Sequence, residues 1–259
     1  MNFEHIRLEH GAAGVATVTI ARPDRLNALS GQTVDELRAA VEAVGASEAR
    51  CLLLTGEGRG FSSGADLAGG GGLPDDVGAS LEQHFNPLIE ALFALDVPVV
   101  AAVNGPCAGA GCSLALAADI VIAARSAYFL QAFVNIGLIP DAGATWLLPR
   151  LAGRARAMEM MMLGERIDAQ KALDWGLVSR VVEDQELMQE AVALATRLAG
   201  GPTVALGLIR KLARDAGQRP LGEALAAERS AQRDAGRTQD FRSAVIAFLD
   251  KRQPRFEGR

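Results

Sequence analysis

One stretch of the chain, residues 97–119, limits what it can fold into more strongly than any other. Its first part, residues 98–103, is a short and continuous apolar run rich in valine. Such a run is typical of a β-strand that is covered on both faces, as in a parallel sheet. The turn residues Asn104-Gly105-Pro106 end the run, so the stretch predicts a buried strand followed at once by a change of direction.

The second part of this stretch predicts a helix start that can bind a negatively charged oxygen. Gly109 and Gly111 open a helix whose following side chains are small or unbranched at Cβ, so backbone N–H groups near Ala110 stay accessible. Unpaired N–H groups at a helix start favour anions. Close packing of a helix on a strand explains the same small residues and stays open as the structural alternative.

Other glycine motifs fit this turn less well. The dinucleotide-binding pattern G-x-G-x-x-G fails because Leu114 stands at its third glycine, and no Gly-Lys-Ser/Thr follows as a P-loop requires. Residues 111–115 are near the nucleophile elbow G-x-S-x-G but end in alanine, which leaves a serine hydrolase with Ser113 as a weak alternative. The histidines, His5, His10 and His84, have no motif that ties them to Ser113.

Composition excludes several classes of protein. With 259 residues, 49% hydrophobic and 22% charged, the chain is globular and long enough for a large core. No apolar run reaches the roughly 18 to 20 residues of a membrane span, and the N-terminus lacks a signal-peptide pattern, so we expect a cytoplasmic protein without a membrane partner. A net charge of -5 argues against nucleic acid as a partner. Three cysteines in apolar surroundings suggest buried thiols and no metal site.

Hydrophobic periodicity predicts the remaining elements. They are a hairpin (3–20), a helix (34–44), strands (51–55 and 120–123), a helix bent at Pro87 (81–95), a strand (178–182) and C-terminal helices (154–163, 168–175, 186–199, 202–214, 221–233 and 238–250). For the first helix, Ser30 and a capping box of Thr33 with Glu36 are equally good starts. The glycines Gly69 to Gly72 predict a mobile loop, either a substrate gate or a surface insertion.

Short motifs along the whole chain resemble those of the crotonase (enoyl-CoA hydratase/isomerase) superfamily. In order they are Arg22-Pro-x-x-x-Asn27-Ala28-Leu29, Gly60-Phe-Ser-Ser-Gly-Ala-Asp66, Ala102-Val-Asn-Gly105, Ala118-Asp119, Ile136-Gly-Leu-Ile-Pro140 and Ala172-x-x-x-Gly176-Leu-Val178. The resemblance implies an α/β fold, a spiral of ββα units over residues 1–195. It also implies a helical C-terminal region over residues 196–259 that drives assembly into a homotrimer or a hexamer made of two trimers.

The resemblance also implies a substrate site. The backbone N–H groups of Ala65 and Ala110 would hold the thioester oxygen of an acyl-CoA, and each such donor is typically worth about 3 to 4 kcal/mol in the transition state. The implied substrate-binding residues are Arg25, Leu26, Ala65, Asp66, Leu67, Ala68, Ala110, Ser113 and Phe133. Further candidates for the CoA phosphates are Arg210, Lys211 and the arginines of the C-terminal tail. Coenzyme A arrives on the substrate, so we expect no separate cofactor.

The chain departs from the hydratase pattern at two positions. Typical enoyl-CoA hydratases carry glutamates where this chain has Ser113 and Phe133, and water addition needs one group to orient the water and another to move its proton. Asp141 remains, at the position where the isomerases of the phenylacetate pathway carry their acid/base. We therefore expect an acyl-CoA isomerase that shifts a double bond or rearranges a ring epoxide. An enoyl-CoA hydratase and a non-catalytic acyl-CoA-binding protein stay as alternatives.

Asp141 is expected to have an unusual acidity. It follows Pro140 and would face apolar residues such as Phe133 and Leu138, and desolvation raises the pKa of an aspartate above its ordinary value of about 3.9. Backbone N–H groups of the same turn could oppose that shift. The structural alternative is a plain turn residue.

Overall fold

The computed structural model describes residues 2–11, 13–67 and 76–259. The larger of its two sheets consists of Ile6–His10 (β1), Val15–Ile20 (β2), Cys51–Gly56 (β3), Val99–Val103 (β4), Ile120–Ala124 (β6) and Arg180–Val182 (β9), in that spatial order. The smaller sheet consists of Pro106–Ala108 (β5), Tyr128–Leu130 (β7) and Ile167–Asp168 (β8), also in that order. The predicted loop Gly69 to Gly72 and the predicted substrate-binding residue Ala68 lie outside the described residues.

The strand pairing confirms the predicted hairpin and buried strands. β1 and β2 pair antiparallel, whereas β2, β3, β4, β6 and β9 follow one another in parallel. Every residue of β4 is 0% exposed, as expected for a parallel strand that is covered on both faces. This central strand leads directly into β5 and the following helix, so the core of the larger sheet positions the glycine turn.

Helices cover the sheets. They are Gly31–Gly45 (α1), Val77–Ser80 (α2), Asn86–Ala94 (α3), Gly109–Leu116 (α4), Ala144–Leu163 (α5), Ala169–Asp174 (α6), Leu187–Ala199 (α7), Thr203–Ala216 (α8), Leu221–Ala235 (α9) and Gln239–Leu249 (α10). Among the described helices, none alone is long and apolar enough to cross a membrane. Asp184–Ala199 and Thr203–Ala216 meet that test only as a pair, and they are bent by 106°.

Three local features differ from the sequence prediction. Ser30 caps α1 by accepting the N–H of Thr33, whereas the carboxylate of Glu36 accepts the N–H groups of Glu4 and His5 just before β1. The predicted capping box is therefore wrong. A π-helical turn, Leu81–Phe85, precedes Pro87, because a residue without an N–H disturbs the regular helix ladder. Helix α5 starts ten residues before the predicted one, and Gly153 breaks it where its φ is +77°.

The C-terminal helices are joined to the sheet by buried contacts. Helix α7 packs on β3 and β4, and the predicted division after residue 195 falls inside this helix. Asp119, between α4 and β6, accepts hydrogen bonds from Arg210 (2.6 Å) and Arg214 (2.8 Å) of α8. Arg210 also donates to backbone carbonyls of α3 and its side chain is only 3% exposed, so the prediction that it contacts a CoA phosphate is wrong.

The C-terminal tail also binds its own chain. The carboxylate of Asp240 accepts the backbone N–H groups of Glu257 (2.6 Å) and Gly258 (2.9 Å), and Arg50 donates to the carbonyl of Phe256. Asp240 itself is buried. The tail is therefore held against the start of α10.

Candidate active site

Two glycine turns approach each other backbone to backbone at the end of β5. A Cβ atom added at Gly64 would lie 2.9 Å from the carbonyl oxygen of Ala108, and one added at Gly111 would lie 2.5 Å from the Cβ of Ser62. Gly64 has a φ of +92° and Gly109 a φ of +52°, which is the left-handed region that glycine adopts without strain. Glycine is therefore required at these positions for the two turns to meet.

The N–H groups of Ala65 and Ala110 lie on these two turns. Leu29 donates its N–H to the carbonyl of Gly64 (2.8 Å) and accepts the N–H of Asp66 (3.0 Å), so in this parallel bridge the N–H of Ala65 points away from Leu29. Ala110 is the second residue of α4, where an N–H has no partner within its helix. In the part of the chain that the structure describes, neither N–H donates to a backbone or side-chain acceptor. The pair is suited to bind an oxyanion.

Buried polar side chains hold the first turn in place. Asn27 is 0% exposed and donates its amide to the carbonyls of Glu57 (2.9 Å) and Gly60 (2.7 Å). Ser62 donates to the carbonyl of Asn27 (2.8 Å) and accepts the N–H of Gly64 (3.2 Å). The sequence motifs contain both residues but do not assign them a role. Their polar side chains within otherwise apolar motifs are the feature that indicates a structural role.

Asp66 has a structural partner. Its carboxylate forms an ion pair with Arg22 at 2.9 Å, and the two side chains are only 7% and 16% exposed. Arg22 also donates to the carbonyl of Ala28, so the pair joins the loop before α1 to the oxyanion turn. The carboxylate of Asp66 is thus directed at Arg22. The other predicted substrate-binding residues of this loop pair are exposed or half-buried: Arg25, Leu26 and Leu67.

Asp141 lies in the turn before α5. The turn is set by Ala142 and Gly143, both of which have positive φ. Its Oδ1 atom is buried and has no hydrogen-bond partner among the described residues. Burial raises the pKa of Asp141 from 3.8 to about 6. A carboxyl group with a pKa near the working pH is well suited to accept and return a proton.

Ser113 is part of α4 and contacts the Asp141 turn, whereas Phe133 lies near the start of α4. The hydroxyl of Ser113 is within 3.4 Å of the carbonyl of Gly109 and donates to the carbonyl of Asp141 at 3.0 Å. Ser113 is 0% exposed and its hydroxyl joins α4 to the backbone of Asp141, while its contact with substrate stays a prediction. The ring of Phe133 would lie 3.7 Å from a Cβ added at Gly109, so this residue covers the same helix start.

Comparison with known proteins places this geometry in context. The family profile described as "Enoyl-CoA hydratase/isomerase" matches residues 10–259. A "1,2-epoxyphenylacetyl-CoA isomerase" of Escherichia coli (strain K12) is 48% identical over 257 residues, covering 97% of this chain and 98% of that protein. A "Probable enoyl-CoA hydratase" of Rhodobacter capsulatus is 44% identical and covers 100% of both chains. The crystal structure of an enoyl-CoA hydratase from Bacillus anthracis superposes with a TM-score of 0.94 at 32% identity, covering 99% of this chain and 100% of that chain.

Proposed function

Because the chain belongs to the enoyl-CoA hydratase/isomerase family, we propose that it is an acyl-CoA isomerase. The N–H groups of Ala65 and Ala110 bind the thioester oxygen and stabilise the negative charge that develops there as an enolate forms. Asp141, as the carboxylate, removes a proton from one carbon of the acyl group. As the carboxylic acid it then returns the proton at another carbon, so that a double bond shifts or a ring epoxide rearranges.

The observation that carries this proposal is Asp141 itself: its Oδ1 is buried and has no partner among the described residues, and its backbone carbonyl accepts a hydrogen bond from Ser113 of α4. Proton transfer between two carbons needs one group that can take up and release a proton. Addition of water needs a second group that orients the water, and the chain has Ser113 and Phe133 at the two positions where hydratases carry glutamates. Coenzyme A is part of the proposed substrate, so the proposed reaction involves no separate cofactor.

The substrate that we propose is an acyl-CoA whose acyl group derives from an aromatic ring, as in the catabolism of phenylacetate. Support comes from the similarity to a protein named 1,2-epoxyphenylacetyl-CoA isomerase, which covers nearly the whole chain. Enoyl-CoA hydratase is the second candidate, because another full-length relative carries that name.

A deuterium-exchange assay separates these candidates. The protein is incubated in ²H₂O with linear 2-enoyl-CoA and 3-enoyl-CoA and with aryl and ring-epoxide acyl-CoA, and products are identified by mass spectrometry. An isomerase gives a rearranged product with no added water, which the Asp141→Asn variant fails to form; the product carries deuterium only to the extent that the proton held by Asp141 exchanges with solvent before its return. Faster formation of a hydroxyacyl-CoA would instead identify a hydratase. Binding without exchange or rearrangement would identify a non-catalytic acyl-CoA-binding protein.

We propose further that the protein assembles as a homotrimer or as two paired trimers. Helices α8 to α10 expose several large apolar side chains, which a single chain leaves in contact with water. They are Ile209, Leu221, Leu225, Val245, Phe248 and Leu249. Light scattering at micromolar concentration tests this proposal, since a monomer contradicts it and a Phe248→Glu variant should weaken the assembly. The cytoplasmic location stays a prediction.

A further inference from the structure

A chain of hydrogen bonds runs from the guanidinium group of Arg22 to the peptide unit that contains the N–H of Ala65. The guanidinium donates to the carbonyl of Ala28. That carbonyl shares a peptide unit with the N–H of Leu29, which donates to the carbonyl of Gly64 at 2.8 Å. The carbonyl of Gly64 in turn shares a peptide unit with the N–H of Ala65. The chain thus joins a positive charge to an N–H that has no acceptor among the described residues.

This chain fixes the direction of the Ala65 N–H. A peptide unit is planar and trans, so its carbonyl and its N–H point in opposite directions. The bond that Leu29 donates to the carbonyl of Gly64 therefore sets the plane in which the Ala65 N–H lies. The bond from Arg22 holds the preceding peptide unit, which supplies that donor. The orientation of the oxyanion donor thus depends on a side chain more than 40 residues earlier in the sequence.

The charge of Arg22 also makes the Ala65 N–H a stronger donor. Hydrogen bonds in a chain polarise one another, by about 10–30% per bond. The Arg22 side chain is only 16% exposed, so solvent screens its charge little. A more positive N–H gains more from an oxyanion than from a neutral carbonyl oxygen, and that difference is what accelerates a reaction.

Asp66 holds Arg22 in this position. Its carboxylate lies 2.9 Å from Nη2 of the guanidinium group, and its side chain is 7% exposed. The other terminal nitrogen, Nη1, donates to the carbonyl of Ala28. A guanidinium group presents its donors in a rigid planar fork, so both contacts form at once, whereas the ammonium group of a lysine is a single point charge.

We propose that Arg22 is a positioning residue for the oxyanion site, where it orients and polarises the N–H of Ala65 through two hydrogen-bonded peptide units. The inference rests on the proposed function, because it requires this N–H to bind the thioester oxygen. The role needs no contact between Arg22 and coenzyme A, since both terminal nitrogens already have acceptors within the chain.

Infrared spectroscopy of a bound thioester tests the inference. The probe is butyryl-CoA labelled with ¹³C at the thioester carbonyl, which has no double bond to shift, added at saturating concentration. Hydrogen bonds from the oxyanion site lower the stretching frequency of this carbonyl. Arg22→Met should reverse about a third or more of that lowering, while the Kd from calorimetry stays within about threefold. Arg7→Met is the matched control, because Arg7 forms an exposed ion pair with Glu57, and it should leave the frequency unchanged.

A double variant keeps the inference testable if Arg22→Met fails to fold. The single variant leaves the Asp66 carboxylate buried without its partner, whereas Arg22→Met combined with Asp66→Leu replaces the whole ion pair by apolar side chains, which is often neutral for stability. Thermal unfolding should place the double variant near the wild type, yet its bound probe should show the same loss of carbonyl shift. Arg22→Lys keeps the charge and should retain more of the shift than Arg22→Met.

The outcomes separate this inference from the proposed function. A wild-type carbonyl shift in the folded double variant overturns the inference, and so does an equal loss of shift in Arg7→Met. An unchanged shift with a Kd raised more than about tenfold also overturns it, because Arg22 would then act in binding the CoA. A wild-type protein that leaves the probe at its free frequency would refute the proposed oxyanion site itself. With a substrate from the panel, Arg22→Met should lower kcat by about tenfold and keep KM within about twofold.

Discussion

The hydroxyl of Ser113 donates a 3.0 Å hydrogen bond to the backbone carbonyl of Asp141. Ser113 lies one turn after Gly109 on α4, so this bond joins the helix that presents the Ala110 N–H to the turn that presents the carboxyl group. In the proposed reaction, this bond would hold the N–H group that binds the substrate oxygen and the carboxyl group that accepts the proton in a fixed relative position. A position that carries a glutamate in typical hydratases acts here as a structural link.

Ser113→Ala tests this link. The carbonyl of Asp141 keeps its bond from the N–H of Ala144, so we expect a loss of only about 0.5–1.5 kcal/mol in the free energy of unfolding. Misplacement of the carboxyl group should lower kcat by about tenfold with little change in KM. Ser47→Ala is the control, because Ser47 makes the same kind of bond to the carbonyl of Val44 at the end of α1. An unchanged kcat in Ser113→Ala would show that the link is dispensable.

Asp141→Asn should abolish isomerisation while the Kd for a CoA thioester stays within a few-fold of that of the wild type. The amide keeps the shape of the side chain but cannot accept the proton. Because the pKa of Asp141 is raised to about 6, kcat/KM of the wild type should fall about tenfold per pH unit below that pH. Kinetics across pH, with calorimetry for binding, check both results. An acid limb near pH 4 would contradict a desolvated Asp141 as the base.

The same residue should make stability depend on pH. The pKa of Asp141 is higher in the folded protein than in the unfolded chain, so the folded state binds this proton more tightly. The tighter binding of this proton contributes fully to the free energy of unfolding below about pH 4, and this contribution is lost as the pH rises through about 6. Asp141→Asn should therefore raise the free energy of unfolding by about 1–3 kcal/mol at pH 8, and much less at pH 4.

Urea denaturation at the two pH values checks this result. Asp66→Asn is the control, because it leaves the mostly buried Arg22 without its ion-pair partner and should destabilise the protein at pH 8. A destabilised Asp141→Asn variant at pH 8 would show that the Asp141 carboxylate has a stabilising partner in the folded protein.

Gly64→Ala should damage the oxyanion site. The new Cβ would lie 2.9 Å from the carbonyl oxygen of Ala108, and a φ of +92° is strained for alanine. The turn must therefore move and carry the N–H of Ala65 with it. Loss of one such donor typically lowers kcat by about 10²–10³-fold. Gly222→Ala is the control, because a Cβ there meets open space in α9. Steady-state kinetics and circular dichroism distinguish loss of the donor from loss of the fold.

Asp119→Asn should loosen the C-terminal helices. It removes the charge that faces Arg210 and Arg214, and a buried charge left without its partner typically costs about 3–5 kcal/mol. Asp96→Asn is the matched control, because Asp96 forms an ion pair with Lys211, which lies on the same helix α8 as Arg210 and Arg214. The Asp96 side chain is exposed, and exposed ion pairs contribute about 0–1 kcal/mol to stability. Thermal unfolding and hydrogen exchange in α8 measure the difference. Equal losses in both variants would contradict an anchoring role for Asp119.

Much of the fold was predictable from the sequence because its signals are local. Alternating and continuous apolar runs predicted the β1–β2 hairpin and the buried β4, and three- and four-residue spacings predicted the C-terminal helices. The order of the motifs indicated the family, and the apolar neighbours of Asp141 predicted the direction of its pKa shift. The first half of α5 was missed because Gly153 breaks the helix, and only the residues after it formed a clear periodic pattern.

The tertiary structure alone decided what each polar side chain contacts. Arg210 and Asp66 are charged residues in positions that suggested ligand binding, yet each is paired with a residue from a distant segment of the chain. Ser113 donates to Asp141 from 28 residues away, and Gln131 is buried without a partner among the residues that the structure describes. Burial and hydrogen bonding depend on which segments the fold brings together, and the free energy of a buried polar group changes with that partner. A sequence shows which groups can bind, whereas their partners are determined only when the chain packs.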